Sequence, residues 1–140
     1  MQLVFRTDLQ LAEDLLLSLE QFSMGGHSTV RGYRENELVR DNGIVSSLEL
    51  RVPLWSDAPG WPTVELAPFF DWGNSWNTDR PFAQKEPETL MSAGVGLRFA
   101  FTRYLEGQIY WGEELRKVDD PPDDRDLQDT GVQFQLVLTY

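Results

Sequence analysis

The chain has 140 residues, with 12 Lys and Arg against 23 Asp and Glu and a formal charge of −11, a length that fits one domain and a balance that excludes a basic nucleic-acid surface. Its 41% hydrophobic and 25% charged residues belong to a folded chain rather than a disordered one. The absence of cysteine and the single histidine, His27, exclude disulfides, thiolate catalysis and Cys- or His-rich metal sites.

No apolar run approaches the ~18 residues a spanning helix needs; the longest, Leu15-Leu16-Leu17, stops at Ser18. The amino terminus alternates from Met1 onward instead of placing an apolar block after positive charge. It therefore reads as a cytoplasmic start or as the continuation of a longer chain.

Six stretches alternate with period two, which predicts strands with two different faces. Residues 1–11 set Leu3, Phe5, Leu9 and Leu11 against Gln2, Arg6, Asp8 and Gln10. In 44–54, Ile44, Leu48, Leu50, Val52 and Leu54 oppose Ser47, Glu49 and Arg51. Residues 62–72 set Val64, Leu66, Phe70 and Trp72 against Thr63, Glu65, Ala67 and Asp71. Met91, Ala93, Val95, Leu97, Phe99 and Phe101 then oppose Ser92, Gly94, Gly96 and Arg98. Leu105, Ile109 and Trp111 face away from Glu106, Gln108 and Tyr110 within 104–112. The last stretch, 131–140, sets Val132, Phe134, Leu136, Leu138 and Tyr140 against Gln133, Gln135 and Thr139.

These segments are about 9–12 residues long, the length of a tilted strand crossing a bilayer rather than a typical soluble strand of about 5–6. The connections alternate too: about 32 residues, about seven from Trp55 to Trp61, about 18, two or three at Thr102 and Arg103, then about 18. Long external loops alternating with tight periplasmic turns are the mark of an outer-membrane barrel. Trp55, Trp61, Trp72, Phe101, Tyr104, Trp111 and Tyr140 lie near strand ends, where an interfacial girdle belongs. The smallest membrane barrels need about eight strands, and an open edge in lipid leaves backbone groups unpaired. The fold expected is therefore all-β, an antiparallel transmembrane β-barrel portion in which residues 1–140 form the carboxy-terminal part.

The first connection, residues 12–43, carries Gly25-Gly26-His27-Ser28-Thr29-Val30-Arg31-Gly32-Tyr33, a tight tip presenting one cation. Ser28 sits in a near-miss to a nucleophile elbow, but Val30 occupies the position of the second glycine. Residues 22–33, Asp41-Asn42-Gly43, Leu48 through Pro53, and Phe69-Phe70-Asp71-Trp72-Gly73 resemble, in order, the last strands of two-partner secretion translocators. These are the haemolysin-activator and filamentous-haemagglutinin type of outer-membrane transporter, within the superfamily that also holds barrel-assembly proteins. The resemblance runs over the whole chain. It implies a 16-stranded barrel, of which these are the last six strands, and a sixth external loop folded back into the lumen. In the family the arginine matching Arg31 binds the acids matching Glu49 and Asp71, and the loop tip, here Gly25, Gly26, Val30, Gly32 and Tyr33, is needed for secretion.

Alternation alone puts Glu49 and Asp71 on polar faces of adjacent strands. Two such carboxylates and a loop arginine fit a fork-to-carboxylate lock; the bland alternative is a solvated lumen with Arg31 in water. The implied activity is export of a secreted exoprotein across the outer membrane of a Gram-negative bacterium. No phosphate-binding loop is present and no cofactor or metal is expected. The expected surroundings are outer-membrane lipid and the barrel-assembly machinery, with Phe134, Leu136, Leu138 and Tyr140 as the terminal sorting signal.

An assembly factor of the same superfamily and a soluble small-ligand-binding β-barrel are the rival readings. Glu49, Glu65 and Asp71 as a glycosidase pair find no sugar cleft in support, so an enzyme is not expected. The run from Glu113 to Asp129 packs eight acids into seventeen residues. It lacks the spacing of a calcium loop and reads as a solvated external connection.

Overall fold

The computed structural model describes residues 1–58, 61–78, 88–102, 105–117 and 130–138. Eight strands follow in chain order: β1 (Gln2–Gln10), β2 (Phe22–Met24), β3 (Leu38–Arg40), β4 (Asn42–Ala58), β5 (Trp61–Trp76), β6 (Glu88–Thr102), β7 (Leu105–Glu114) and β8 (Val132–Leu138). Six of them form one sheet in the order β1-β4-β5-β6-β7-β8, every neighbouring pair antiparallel. The chain is all-β and is a portion of an antiparallel barrel. No helix among the described residues is long and apolar enough to cross a membrane, which says nothing of crossing by strands.

The sheet is built inside out relative to a soluble domain. Leu3, Phe5, Leu9, Leu48, Leu54, Phe70, Val95, Leu97, Ile109, Trp111, Phe134, Leu136 and Leu138 are all exposed, and period two puts them on one face. Ala67, Phe69, Asp71, Ser92 and Tyr110 on the opposite face are buried. What buries them is the segment between β1 and β4, folded back over that inner face.

Strand ends differ from the alternation in instructive ways. The expected seven-residue turn shrinks to residues 59 and 60, because β4 and β5 continue past Leu54 through register shifts at Pro53/Trp55, Trp55/Ser56 and Ser56/Ala58. Bulges break the period of two without ending the pairing. At the other end β5 runs on to Trp76, paired through Gly73↔Leu90, Asn74↔Thr89 and Ser75↔Glu88. There the strands carry polar residues on both faces, as they do beyond an apolar band, so the pattern disappears while the ladder continues. Among the expected girdle aromatics, Trp55 and Trp111 are exposed. The side chains of Trp61 and Phe101 lie outside the described residues, as do Tyr104, Tyr140 and residues 118–129 of the acidic run.

The folded-back segment contains a small hairpin that the sequence pattern did not disclose. Its strands β2 and β3 pair through Phe22↔Arg40, Ser23↔Val39 and Met24↔Leu38. Met24, Val30, Tyr33 and Leu38 from this segment pack with Val45 of β4 and Leu90 of β6 into one buried cluster, with Phe22 beside it. Full burial of each such side chain contributes about 1.5–3 kcal/mol, so the segment has an apolar anchor of its own. Gly73 makes room for it: a Cβ there would stand 2.3 Å from the Met24 sulfur.

The root of the segment is tied by Asp41 and Asn42, both buried. Asp41 accepts from Leu16 N–H at 3.2 Å, the Gln21 amide at 2.9 Å and Thr78 N–H at 3.1 Å. Asn42 accepts from Ala12 N–H at 2.7 Å and donates to the Thr78 hydroxyl at 2.8 Å. Both ends of the segment are thereby joined to the connection that follows β5.

The tip lies backbone to backbone on β7. Gly32 has a φ of 95°, and a Cβ placed on it would meet the Gly112 carbonyl carbon and oxygen at 3.0 Å. Both the left-handed backbone and the closeness require glycine. Gly32→Ala should therefore destabilise the docked segment by more than about 1 kcal/mol, read as faster cleavage of the segment by added protease in an otherwise intact barrel. Cleavage at the wild-type rate would contradict the contact.

Candidate functional site

Four side chains of the inner face form a square under the tip. Antiparallel pairing sets Ser47 opposite Asp71 and Glu49 opposite Phe69, and steps of two along each strand keep all four on one face. The Arg31 guanidinium lies over this square. Its Nε donates to Asp71 Oδ2 at 2.8 Å and its Nη2 to Asp71 Oδ1 at 2.9 Å, a two-pronged contact. The backbone N–H of Arg31 also donates to Asp71 Oδ2, at 3.0 Å. Nη1 donates to Glu49 Oε2 at 2.5 Å, and Nη2 to the Ser47 hydroxyl at 3.0 Å. Ser47 in turn donates to Asp71 Oδ1 at 2.6 Å.

Aromatic faces close the site. The Arg31 Cζ stands 3.7 Å from the Phe69 ring centroid and 4.7 Å from that of Tyr110, and the two rings meet edge to face at 5.7 Å. A cation over an aromatic face, shielded from water, gains more than an exposed one. The Tyr110 hydroxyl donates to Glu49 Oε2 at 3.0 Å and accepts from Arg98 Nη1 at 3.1 Å. Arg51 Nε donates to the other Glu49 oxygen at 2.8 Å. Arg31 and Arg51 thus balance Glu49 and Asp71, two charges against two, with the side chains of Arg31, Glu49 and Asp71 no more than 8% exposed.

Local geometry explains how the tip presents one cation. Gly25 and Gly26 have φ of 107° and 98°, and Gly26 N–H donates to the Val30 carbonyl at 3.1 Å. The Thr29 hydroxyl accepts from Gly25 N–H at 2.9 Å. Beyond Arg31, the buried Tyr33 ring carries its hydroxyl to β6, where it accepts from Met91 N–H at 3.1 Å. Val30 and Tyr33 on either side are driven into the apolar cluster, so Arg31 between them is turned onto the acids.

The residues singled out in the sequence fall into place unevenly. Arg31, Glu49 and Asp71 meet, and Gly25, Gly26, Val30, Gly32 and Tyr33 form the docked tip. Phe69 lies under the guanidinium, and Gly73 faces Met24. Phe134, Leu136 and Leu138 lie far from this site on the exposed face. The sequence marks Ser47 and Tyr110 only as polar-face residues, by parity, since Ser47 is two residues before Glu49 and Tyr110 is an aromatic on the polar side of β7. Ser28 and His27 do not assemble a nucleophilic site, since the His27 ring is held through Nε2 by Gln108 at 3.0 Å and lies 5.8 Å from the Tyr110 ring.

An antiparallel sheet whose open face is apolar and whose inner face is filled by its own connecting segment is the make-up of an outer-membrane translocator barrel, not of a soluble sandwich. Residues 2–99 match the family model described as haemolysin secretion/activation protein ShlB/FhaC/HecB, and the chain belongs to this family of two-partner secretion translocators. The matched span contains Arg31, Glu49 and Asp71 and ends within β6, so it is shorter than the whole-chain resemblance read from the sequence. No curated protein matches the chain.

Removing one partner of a buried, hydrogen-bonded charge pair costs about 3–5 kcal/mol, because it strands the other charge. Arg31→Ala should therefore release the tip, and Arg31→Lys should release most of it, since an ammonium cannot reproduce the planar two-pronged contact. Asp71→Ala should release it more fully than Glu49→Ala, because Asp71 accepts three hydrogen bonds from Arg31 and Glu49 accepts one. Accessibility of a cysteine introduced at Val30, which is fully buried in the docked tip, would rank these variants, and equal labelling of all of them would refute the ordering.

A pH dependence follows from His27. Burial first, and the Arg31 charge second, lower its pKa below 6.5, with Arg6 acting the same way against the opposing Glu35 and Glu49. Its Nδ1 is buried without a partner among the described residues. Well above pH 6.5 neither the docked nor the released segment is protonated there and docking is at full strength. As pH falls below 6.5 the released form takes up the proton more readily, and docking weakens. The labelling rate of a cysteine at the buried Val30, taken relative to the same cysteine in the Arg31→Ala barrel at the same pH because the thiolate is the reacting form, should be higher at about pH 5.5 than at about pH 7.5, and His27→Gln should flatten that difference.

Proposed function

We propose that this chain is the carboxy-terminal part of an outer-membrane barrel that exports an exoprotein, with the segment 12–43 as a lumenal plug held by Arg31. The family exports partner exoproteins and is one of transporters rather than enzymes. The observation that carries the reading for this chain is the Arg31 guanidinium clasped by Asp71 and Glu49 on the inner face. It fixes a long connection against the inner face of the sheet, on the side along which an exported polypeptide would pass.

Among the described residues β1 and β8 each have a strand neighbour on one side only. Backbone groups left unpaired in hydrocarbon cost several kcal/mol each, so further strands flank both edges in the working barrel. The exposed apolar face is the lipid face, and outer-membrane lipid of a Gram-negative cell is its surroundings. Phe134, Leu136 and Leu138, exposed on β8, form with Tyr140 the signal by which barrel-assembly machinery recognises the chain; Tyr140 lies outside the described residues.

Export proceeds by rearrangement of the plug, with no nucleotide consumed and folding of the exported chain outside as the driving force. The Arg31→Ala barrel should still insert, shown by a heat-modifiable band in outer-membrane fractions. Exoprotein in the medium should fall by at least about tenfold, the loss that about 1.4 kcal/mol represents. Unchanged export alongside reduced levels of other outer-membrane proteins would replace secretion with an assembly role.

A further inference from the structure

Beside the Arg31 site, toward the short turns, the inner face holds an open cavity of about 160 Å³. Arg6, Arg51, Arg98 and Gln108 border it, and Glu49 and Tyr110 form part of its wall. In a chain with a net charge of −11, this concentration of guanidinium groups on one wall is conspicuous. Among the described residues lining the cavity Glu49 is the one carboxylate, and both of its oxygens are already engaged by Arg31, Tyr110 and Arg51.

The arginines, by contrast, have donors to spare. Among the described residues Arg51 makes one hydrogen bond, from Nε to Glu49 Oε1, and it lines the cavity with its two terminal nitrogens unengaged there. Arg98 uses Nη1 on the Gln108 side-chain oxygen at 2.6 Å and on the Tyr110 hydroxyl at 3.1 Å. Its approach to Glu65 is 3.6 Å, too long for a hydrogen bond. Arg6 donates to the Ser28 carbonyl and pairs with Asp8 at 3.2 Å, both side chains about half exposed. Exposed pairs of that kind are worth little and exchange partners readily. A planar carboxylate is the group that several guanidinium forks converging on one space recognise best.

We propose that this cavity is a carboxylate-binding subsite of the translocation path, where Arg51 and Arg98, with Arg6 at the rim, hold an acidic side chain of the exported polypeptide. The inference rests on the export reading and adds to it a chemical preference. It also places substrate and plug on shared groups. Arg51 holds Glu49, which accepts from Arg31, and Arg98 holds the Tyr110 hydroxyl, which donates to the same Glu49 oxygen. An acidic side chain seated here draws on the guanidinium groups that support the lock.

The test uses the full-length barrel in detergent and a fluorescent Gly-Glu repeat peptide, with a Gly-Lys repeat of equal length as control. The expected result is saturable binding of the acidic peptide only, weakened at least about tenfold in Arg51→Gln/Arg98→Gln. Arg98→Gln alone should give a smaller loss, and it serves if the double variant fails to fold. Equal affinity in the variants, or no binding to the wild type, overturns the proposal. Displacement of the peptide by acetate at the same carboxylate concentration also overturns it, because the cavity then takes any small anion. Exoprotein export by the wild type is scored in parallel cells. Its absence would refute the export reading, whereas peptide binding reports on the cavity alone.

Discussion

The structure depends on one neutralised contact. Two carboxylates on adjacent strands, Glu49 and Asp71, face the inside of a sheet whose outside is apolar, and burying such charges is costly unless a cation pairs with them. The cation comes from a connecting segment, and this dictates that the segment folds inward. Charge neutrality and packing act together. The two-pronged contact to Asp71 sets the orientation of Arg31, while Phe69 and Tyr110 exclude water from it. Val30 and Tyr33 bury themselves on either side.

The inward segment in turn supplies what an inside-out sheet lacks. A soluble β domain buries the apolar face of its strands, whereas here that face is left open and the polar face is covered. The covering layer brings a small apolar core of its own, built from Met24, Val30, Tyr33 and Leu38 against Val45 and Leu90. Val45 and Leu90 are large apolar side chains on the inner faces of β4 and β6, placed where the segment lands. Asp41 and Asn42 fasten its root, and Arg31 fastens its tip. Between those two fixings the segment behaves as a built part of the barrel and not as a loose connection.

Much of this was legible in the sequence because period two survives wherever one face meets lipid and the other does not. Leu48, Glu49 and Leu50 could be assigned to opposite faces without coordinates, and so could Phe70, Asp71 and Trp72. The resemblance supplied the pairing with Arg31, which alternation alone could not reach, since nothing in a strand pattern says where a long connection goes. The pattern failed where its cause is absent. Past Leu54 the bulges at Pro53/Trp55 and beyond shift the phase. From Gly73 to Trp76 the pairing persists although the side chains no longer alternate between apolar and polar. The β2 and β3 hairpin escaped notice because three-residue strands are too short to show a period. Ser47 and Tyr110 were visible as polar-face residues, but their roles come from cross-strand register, which a single sequence does not print.

A buried ion pair is a poor source of stability and a good source of conditional structure. Desolvating Arg31, Glu49 and Asp71 offsets most of what their attraction gains, so the ionic contact adds only a modest net free energy to that of the apolar anchor. Breaking the set halfway, however, leaves a charge buried and unpaired, which is far worse than either the docked or the released form. A half-broken contact is therefore strongly disfavoured, the property the proposed plug needs if it is to hold firmly and still let go. The aromatic seat sharpens this. Phe69 and Tyr110 reward the guanidinium only while water is kept out, so the first water to enter weakens the cation–aromatic and the ionic contacts together.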